Sequence, residues 1–195
     1  MQETMPQSAG GNWTHTTRPR PKLKRWGLLG DVLELVVWVT LVYALVNLAS
    51  VRFVVKGASM EATFHDGQYL IVSRINYLVT APQRGDVIVF HYPNNTEEDY
   101  IKRIIGIPGD VVEIRDTAVY VNDQALDEPY IKEACRPVNC RDAVTTLGAE
   151  QYFVMGDNRN NSRDSRAFGA IDVGHIVGEV LIRYWPPENW GVWGW

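Results

Sequence analysis

"DYIKRIIGIPGD", residues 99–110, decides how the chain is read: alternating residues run into a Pro-Gly turn, which predicts a strand. Successive side chains in a strand face opposite ways. Tyr100, Lys102 and Ile104 therefore share one face, and Ile101, Arg103 and Ile105 the other. Both faces are mainly apolar, so the strand is expected to be covered on both sides. That puts two basic side chains where water is scarce. A buried ammonium is costly unless it finds a partner or gives up its proton. Taken alone, the stretch is satisfied if both side chains snorkel to water or pair with acids such as Asp99.

The same texture continues on either side. Short β-type runs between turn residues predict strands at 69–73, 86–92, 100–106, 111–115, 118–122, 151–155 and 175–185. Asp116-Thr117 reads as a hairpin turn between two of them. No run after residue 51 carries a helical period, and the polar segment around Cys135–Gly148 reads as a long loop. No internal repeat is visible. The fold class is mainly β, with residues 52–185 as one domain.

Upstream lies "VLELVVWVTLVYALVNLASV", residues 32–51, with no charged residue between Glu34 and Arg52. As a helix the uncharged stretch is roughly 26 Å long, close to a bilayer core and extendable by its flanks. It has no polar face, which argues against a surface helix of a soluble domain. A cleavable signal peptide wants an A-x-A-like site, and "VNLAS" does not supply one. Residues 28–51 are expected to be an uncleaved transmembrane anchor helix. The first 25 residues carry five basic side chains against one acid, and residues 1–27 read as a disordered, basic tail. Positive charge before the span predicts a cytoplasmic N-terminus, with the rest of the chain on the exported side of a cell membrane or a thylakoid-type membrane.

Beyond the first 25 residues the net charge is −8, which argues against nucleic acid as the main partner. Cys135 and Cys140 are the only cysteines. On the exported side they read as a local disulfide in preference to free thiols, and they lack the further ligands that zinc needs. The tail 186–195 is rich in tryptophan. It either rests at the membrane interface or packs on the sheet.

Three stretches carry possible chemistry. "VVKGASMEATFHDGQ", residues 54–68, offers Ser59 among small residues, but a free hydroxyl is a poor nucleophile without a base. His15 falls on the other side of the anchor, and His65, His91 and His175 form no pattern with Ser59. "MGDNRNNSRDSRAFG", residues 155–169, fails as a calcium loop because Arg159 and Phe168 stand where oxygen ligands are required. Within it Asp164 and Arg166 are placed to pair, with Ser162 nearby. Lys102 completes the set.

Together the blocks "GASMEATF" (57–64), "RGDVIVF" (84–90), "YIKRIIGIPGD" (100–110) and "GDNRNNSRDSR" (156–166), in that order behind an N-terminal anchor, resemble the type I signal peptidases. These are membrane-bound serine proteases that remove signal peptides from exported proteins. The resemblance covers about residues 28–185. It implies a signal-peptidase-like catalytic β domain of antiparallel strands. It also implies Ser59 as nucleophile, Lys102 as general base, and Ser162, Asp164 and Arg166 as residues that orient the lysine and brace the site. Val55, Met60, Phe64, Tyr100 and Ile101 fall where the family lines its substrate pockets, which select small residues at the first and third positions before the cut. The implied partners are exported preproteins and the lipid bilayer, with no nucleic acid, cofactor or metal. Two positions depart from the family. Ala62 replaces a usual proline, and Gly57 stands where some members place a serine that binds the oxyanion, leaving more of that task to the backbone N–H of Ser59. The alternatives are a non-catalytic membrane-anchored β module and a self-cleaving Ser-Lys protease of the repressor type. The latter normally carries a DNA-binding domain where this chain has an anchor.

Overall fold

The computed structural model describes residues 25–193. The tail read at residues 1–27 falls almost entirely outside them, as does Trp195. The described chain opens with a 25-residue helix α1 (Arg25–Ala49). Its side chains from Gly27 to Leu48 are exposed and largely apolar all round, a pattern that water does not reward and lipid does. Two of its polar side chains are satisfied internally: Thr40 Oγ1 donates to Val36 O and Asn47 Nδ2 to Tyr43 O, each at 2.8 Å. Such back-bonding removes the cost of a bare polar group in hydrocarbon. The helix ends two residues before the expected limit. Ser50 already begins strand β1 (Ser50–Val54), because "SVRFV" has partners in β2 (Tyr69–Ser73) from Ser50↔Ser73 to Val54↔Tyr69.

The remaining elements are α2 (Asn76–Val79), β3 (Val87–Tyr92), β4 (Asn95–Gly106), β5 (Val111–Arg115), β6 (Ala118–Val121), β7 (Gln124–Ala125), β8 (Ala143–Thr146), β9 (Gln151–Met155), α3 (Ser165–Phe168), β10 (Ile171–Asp172), β11 (Ile176–Trp185) and β12 (Gly191–Val192). One sheet runs β1-β2-β11-β3-β4-β9-β10, with β12 paired to β11. A second runs β7-β6-β5-β8. Every pairing is antiparallel, and the architecture is mainly β behind one apolar helix.

All seven strands read from the sequence are present. The long loop expected around Cys135–Gly148 is only partly a loop, since Ala143–Thr146 pairs with β5 as an edge strand. Helical period was also absent where α2 and α3 form, because a single turn of four residues is too short to show one.

Alternation places the core. Val87 and Val89 of β3 pack with Leu70, Val72 and Val180, while Ile88 and Phe90 pack with Ile104, Tyr152 and Val154 on the opposite face. β4 is buried in the same two-sided way from Lys102 to Gly106. A third cluster, around Ile105, Val112, Ile114, Val121, Phe153 and Met155, draws on strands of both sheets. At the Pro108-Gly109 turn the chain leaves β4 for β5 with Gly109 at φ 87°, a left-handed conformation that favours glycine. Asp116 and Thr117 take φ 50° and 68° between β5 and β6, as a two-residue hairpin turn requires. Trp193 packs against Phe64 with ring centroids 5.0 Å apart, while Trp185 and Trp190 stay exposed. Within the described part of the tail, Trp193 therefore packs on the domain and Trp190 does not.

Candidate active site

Ser59 sits in the turn that follows β1. Hydrogen bonds from Thr63 N–H and Phe64 N–H to Met60 O, both 2.8 Å, coil this turn. Met60 and Phe64 are fully enclosed and anchor it in the core beside Leu70 and Val72. Both side chains belong to the core cluster under the serine turn, a position compatible with forming the floor of a pocket. A turn so fastened holds its serine in one place. Gly57, at φ 85°, donates its N–H to Asp66 Oδ1 at 2.7 Å and closes the entry to the turn.

Lys102 arrives from the middle of β4. Its Nζ is hydrogen-bonded to Ser59 Oγ at 2.8 Å and donates to the carbonyl of Ile101 at 2.7 Å. The residue is only 4% exposed. Burial brings its pKa down to about 8, against a counter-pull from the charges of Asp164 and Asp157 and with help from Arg166. The amine neither snorkels to water nor pairs with Asp99, whose carboxylate holds His91 Nδ1 at 2.7 Å. Among the described residues no histidine hydrogen-bonds Ser59.

Arg103, on the opposite face of the strand, resolves its burial differently. Its Nε and Nη2 donate to both carboxylate oxygens of Asp157 at 2.9 and 2.8 Å, and its Nη1 donates to Gly85 O at 2.7 Å. Asp157 Oδ2 also accepts from Thr63 Oγ1 at 2.5 Å. The pair thus fastens the serine turn to the 155–160 loop. Removing one partner of such a buried pair typically costs about 3–5 kcal/mol.

The same loop holds the residues expected to brace the site. Asp164 caps α3 and accepts from Gly156 N–H at 2.9 Å and from Arg166 Nε and Nη2 at 2.8 and 2.7 Å. Burial pushes its carboxyl up, but Arg166 and the Gly156 N–H outweigh that and hold it below the usual range. Arg166 Nη1 reaches Arg159 O at 2.8 Å and lies 3.5 and 3.3 Å from the sulfurs of Cys135 and Cys140, which are joined by a disulfide. Ser162 is beside this group and close enough to help lower the Asp164 pKa, yet among the described residues its buried Oγ has no partner in good hydrogen-bond geometry and does not bond Lys102.

The sequence reading missed Asp157, Asn158 and Arg159, although all three lie inside the fourth block. Arg159 is almost wholly buried and pairs with both oxygens of Glu128 at 2.8 and 2.5 Å. Asn158 donates twice to the serine turn, to Ala58 O at 2.9 Å and to Ser59 O at 3.0 Å. The one signal available was Arg103 itself, since an arginine in a strand covered on both faces demands a carboxylate.

A cleft of about 680 Å³ opens beside the Ser59–Lys102 pair. Val55, Leu70, Val89, Tyr100 and Ile101 contribute to its wall. Two strand edges flank it. β1 is the outermost strand of its sheet, and β4 pairs with β9 only from Arg103 onward, so residues 99–102 keep one side unpaired. Open edges of this kind accept an extended peptide.

A hydroxyl in contact with a desolvated amine, beside a cleft between two strand edges, has the form of a serine peptidase site. Residues 28–185 match the family described as "Signal peptidase, peptidase S26", and the chain belongs to that family of serine endopeptidases. It is 34% identical over 174 residues to the signal peptidase IB of Staphylococcus aureus strain Mu50, covering 82% of this chain and 90% of that protein. It is 38% identical over 146 residues to the signal peptidase I of Bacillus caldolyticus, covering 69% and 79%. A crystal structure of a signal peptidase I from Enterococcus faecalis V583 matches with TM-score 0.46 and 34% identity, covering 52% of this chain and 97% of that one.

Proposed function

We propose that the protein removes signal peptides from exported preproteins by a Ser59–Lys102 dyad, cutting after small residues. The observation that carries this reading is the 2.8 Å contact between Ser59 Oγ and a buried Lys102 Nζ. Neutral Lys102 takes the hydroxyl proton as Ser59 Oγ attacks the scissile carbonyl. The tetrahedral oxyanion accepts from Ser59 N–H. Collapse breaks the C–N bond, Lys102 returns its proton to the leaving amine, and the signal peptide remains as an ester on Ser59. Water, deprotonated by Lys102, then hydrolyses the ester and regenerates the serine.

The signal peptide lies extended in the cleft between β1 and the open edge of β4. Side chains two apart face the same wall, so the first and third residues before the cut meet one face of the cleft together, the one that Val55 and Ile101 line. Close walls there favour small side chains. Helix α1 anchors the enzyme in the bilayer, with the N-terminus in the cytoplasm and the β domain on the exported side.

The test is to incubate the detergent-solubilised protein with a preprotein and map the cut by mass. A single cut after a small residue is expected, and Ser59→Ala is expected to leave the preprotein intact. Retained turnover in Ser59→Ala would exclude the dyad.

The pH dependence follows from the lysine. With a pKa of about 8, the fraction of neutral amine rises about a hundredfold between pH 6 and pH 9, and the rate is expected to rise with it before levelling. The stability consequence has the same sign. The ordinary lysine pKa lies higher, so the folded state carries the cost of a depressed base fully below about pH 8 and loses it as pH rises toward about 10.4. A flat rate profile over pH 6–9 would count against a titrating amine.

A further inference from the structure

Asn158 grips the peptide group that joins Ala58 to Ser59. Its Nδ2 donates to the Ala58 carbonyl at 2.9 Å, and its own backbone N–H donates to the Ser59 carbonyl at 3.0 Å. The residue is 5% exposed and sits between two other fastened residues. Asp157 is held by Arg103, and Arg159 by Glu128. Its amide is therefore a fixed feature of the site.

A trans peptide is planar, so its C=O and N–H point in opposite directions. Fixing the Ala58 carbonyl aims the Ser59 N–H directly away from Asn158. Fixing the Ser59 carbonyl sets the second peptide plane at the same Cα and removes the remaining freedom there. A hydrogen bond accepted at the carbonyl also polarises the group and strengthens the donor at its other end by roughly 10–30%. Among the described residues nothing accepts from Ser59 N–H. Gly57 brings no hydroxyl to help, and its own N–H is engaged by Asp66.

We propose that Asn158 is the positioning residue of the oxyanion site, holding and polarising the Ala58–Ser59 peptide so that its N–H meets the developing negative charge. It touches neither substrate nor Lys102, and acts through that peptide. The inference rests on Ser59 being the nucleophile.

The experiment uses the full-length enzyme in detergent, with Asn158→Ala and with Asn158→Asp, which keeps the volume but loses the donor. Rates are compared at pH 9, above the Lys102 midpoint, on a peptide spanning the cleavage site. A peptide aldehyde of the same sequence serves as a second probe, since its hemiacetal oxygen occupies the place of the oxyanion. The expected result is a fall in kcat of roughly 10- to 100-fold, with KM nearly unchanged. The aldehyde is expected to weaken by the same factor, and the midpoint of the pH profile to stay in place. If Asn158→Ala loses its thermal midpoint, the Asp variant carries the comparison.

The proposal is overturned if both variants keep wild-type kcat, if the loss falls on KM, if aldehyde affinity is unaffected, or if a displaced pH midpoint accounts for the loss. Turnover retained by Ser59→Ala is a separate result, which removes the nucleophile assignment itself.

Discussion

Lys102→Arg is expected to stop cleavage, with a loss of roughly 10⁴-fold or more, as for removal of the base from other serine peptidases, although positive charge and side-chain reach are nearly kept. A base must hold a free electron pair at working pH, and guanidinium stays protonated in proteins. Lysine meets the requirement here because it is 4% exposed and its pKa has come down to about 8. Burial depresses it, and the site limits the opposing pull. Asp157 is neutralised by Arg103, and Asp164 by Arg166. Each carboxylate that could keep the amine charged is thus engaged by a guanidinium. The Arg variant is also the larger group in an enclosed place, so its thermal midpoint should be recorded beside its turnover. Cleavage by a folded Lys102→Arg enzyme at even a few per cent of the wild-type rate would transfer the role of base to another group.

How far the molecule could be read from its sequence depends on what each segment is committed to bury. The seven strands read beforehand each place alternate side chains in a core, as Val87 to Phe90 do on two faces, and burial on that period is written in the residues. β8 is different. Val144 is exposed, and the strand owes its form to pairing with β5, which its own residues do not announce. The proposed Ser59–Lys102 pair was suggested by the order of four short blocks, and the buried setting of Lys102 by the apolar faces of its strand. The network behind it was not. Thr63 and Asp157 are 94 residues apart in sequence, and Ala58 and Asn158 are 100 apart. A run rich in Asp, Asn and Arg looks solvated until another segment arrives to use it. Met60 and Phe64 are a further case. The family resemblance placed both at a pocket, and their full enclosure is a packing fact that no resemblance states, since apolar side chains on a coiled turn are drawn to the nearest core.

Gly156→Ala is expected to disable the enzyme while adding one methyl group. A Cβ at this position would lie 2.3 Å from Ser162 Oγ, 2.6 Å from Ser162 Cβ and 2.4 Å from the backbone oxygen of Ser59. The glycine has no room to retreat, since its N–H is held by Asp164 and its carbonyl by Arg159 Nε. Overpacking of this kind costs about 1–3 kcal/mol, which for a chain of this size lowers Tm by roughly 2–12 °C. The kinetic effect is expected to be larger. The Ser59 carbonyl is backbone and is clamped by Asn158, so relief there shifts Ser59, the proposed nucleophile, and a displacement of about 1 Å costs around 10²-fold in rate. A second substitution separates the two contacts. Ser162→Gly in the Gly156→Ala background removes the side-chain clash and is expected to recover stability, while the contact with Ser59 O persists and turnover stays low. Wild-type turnover in Gly156→Ala would mean that the serine turn can yield without penalty, and a turn that yields is not holding Ser59 in place for the proposed attack.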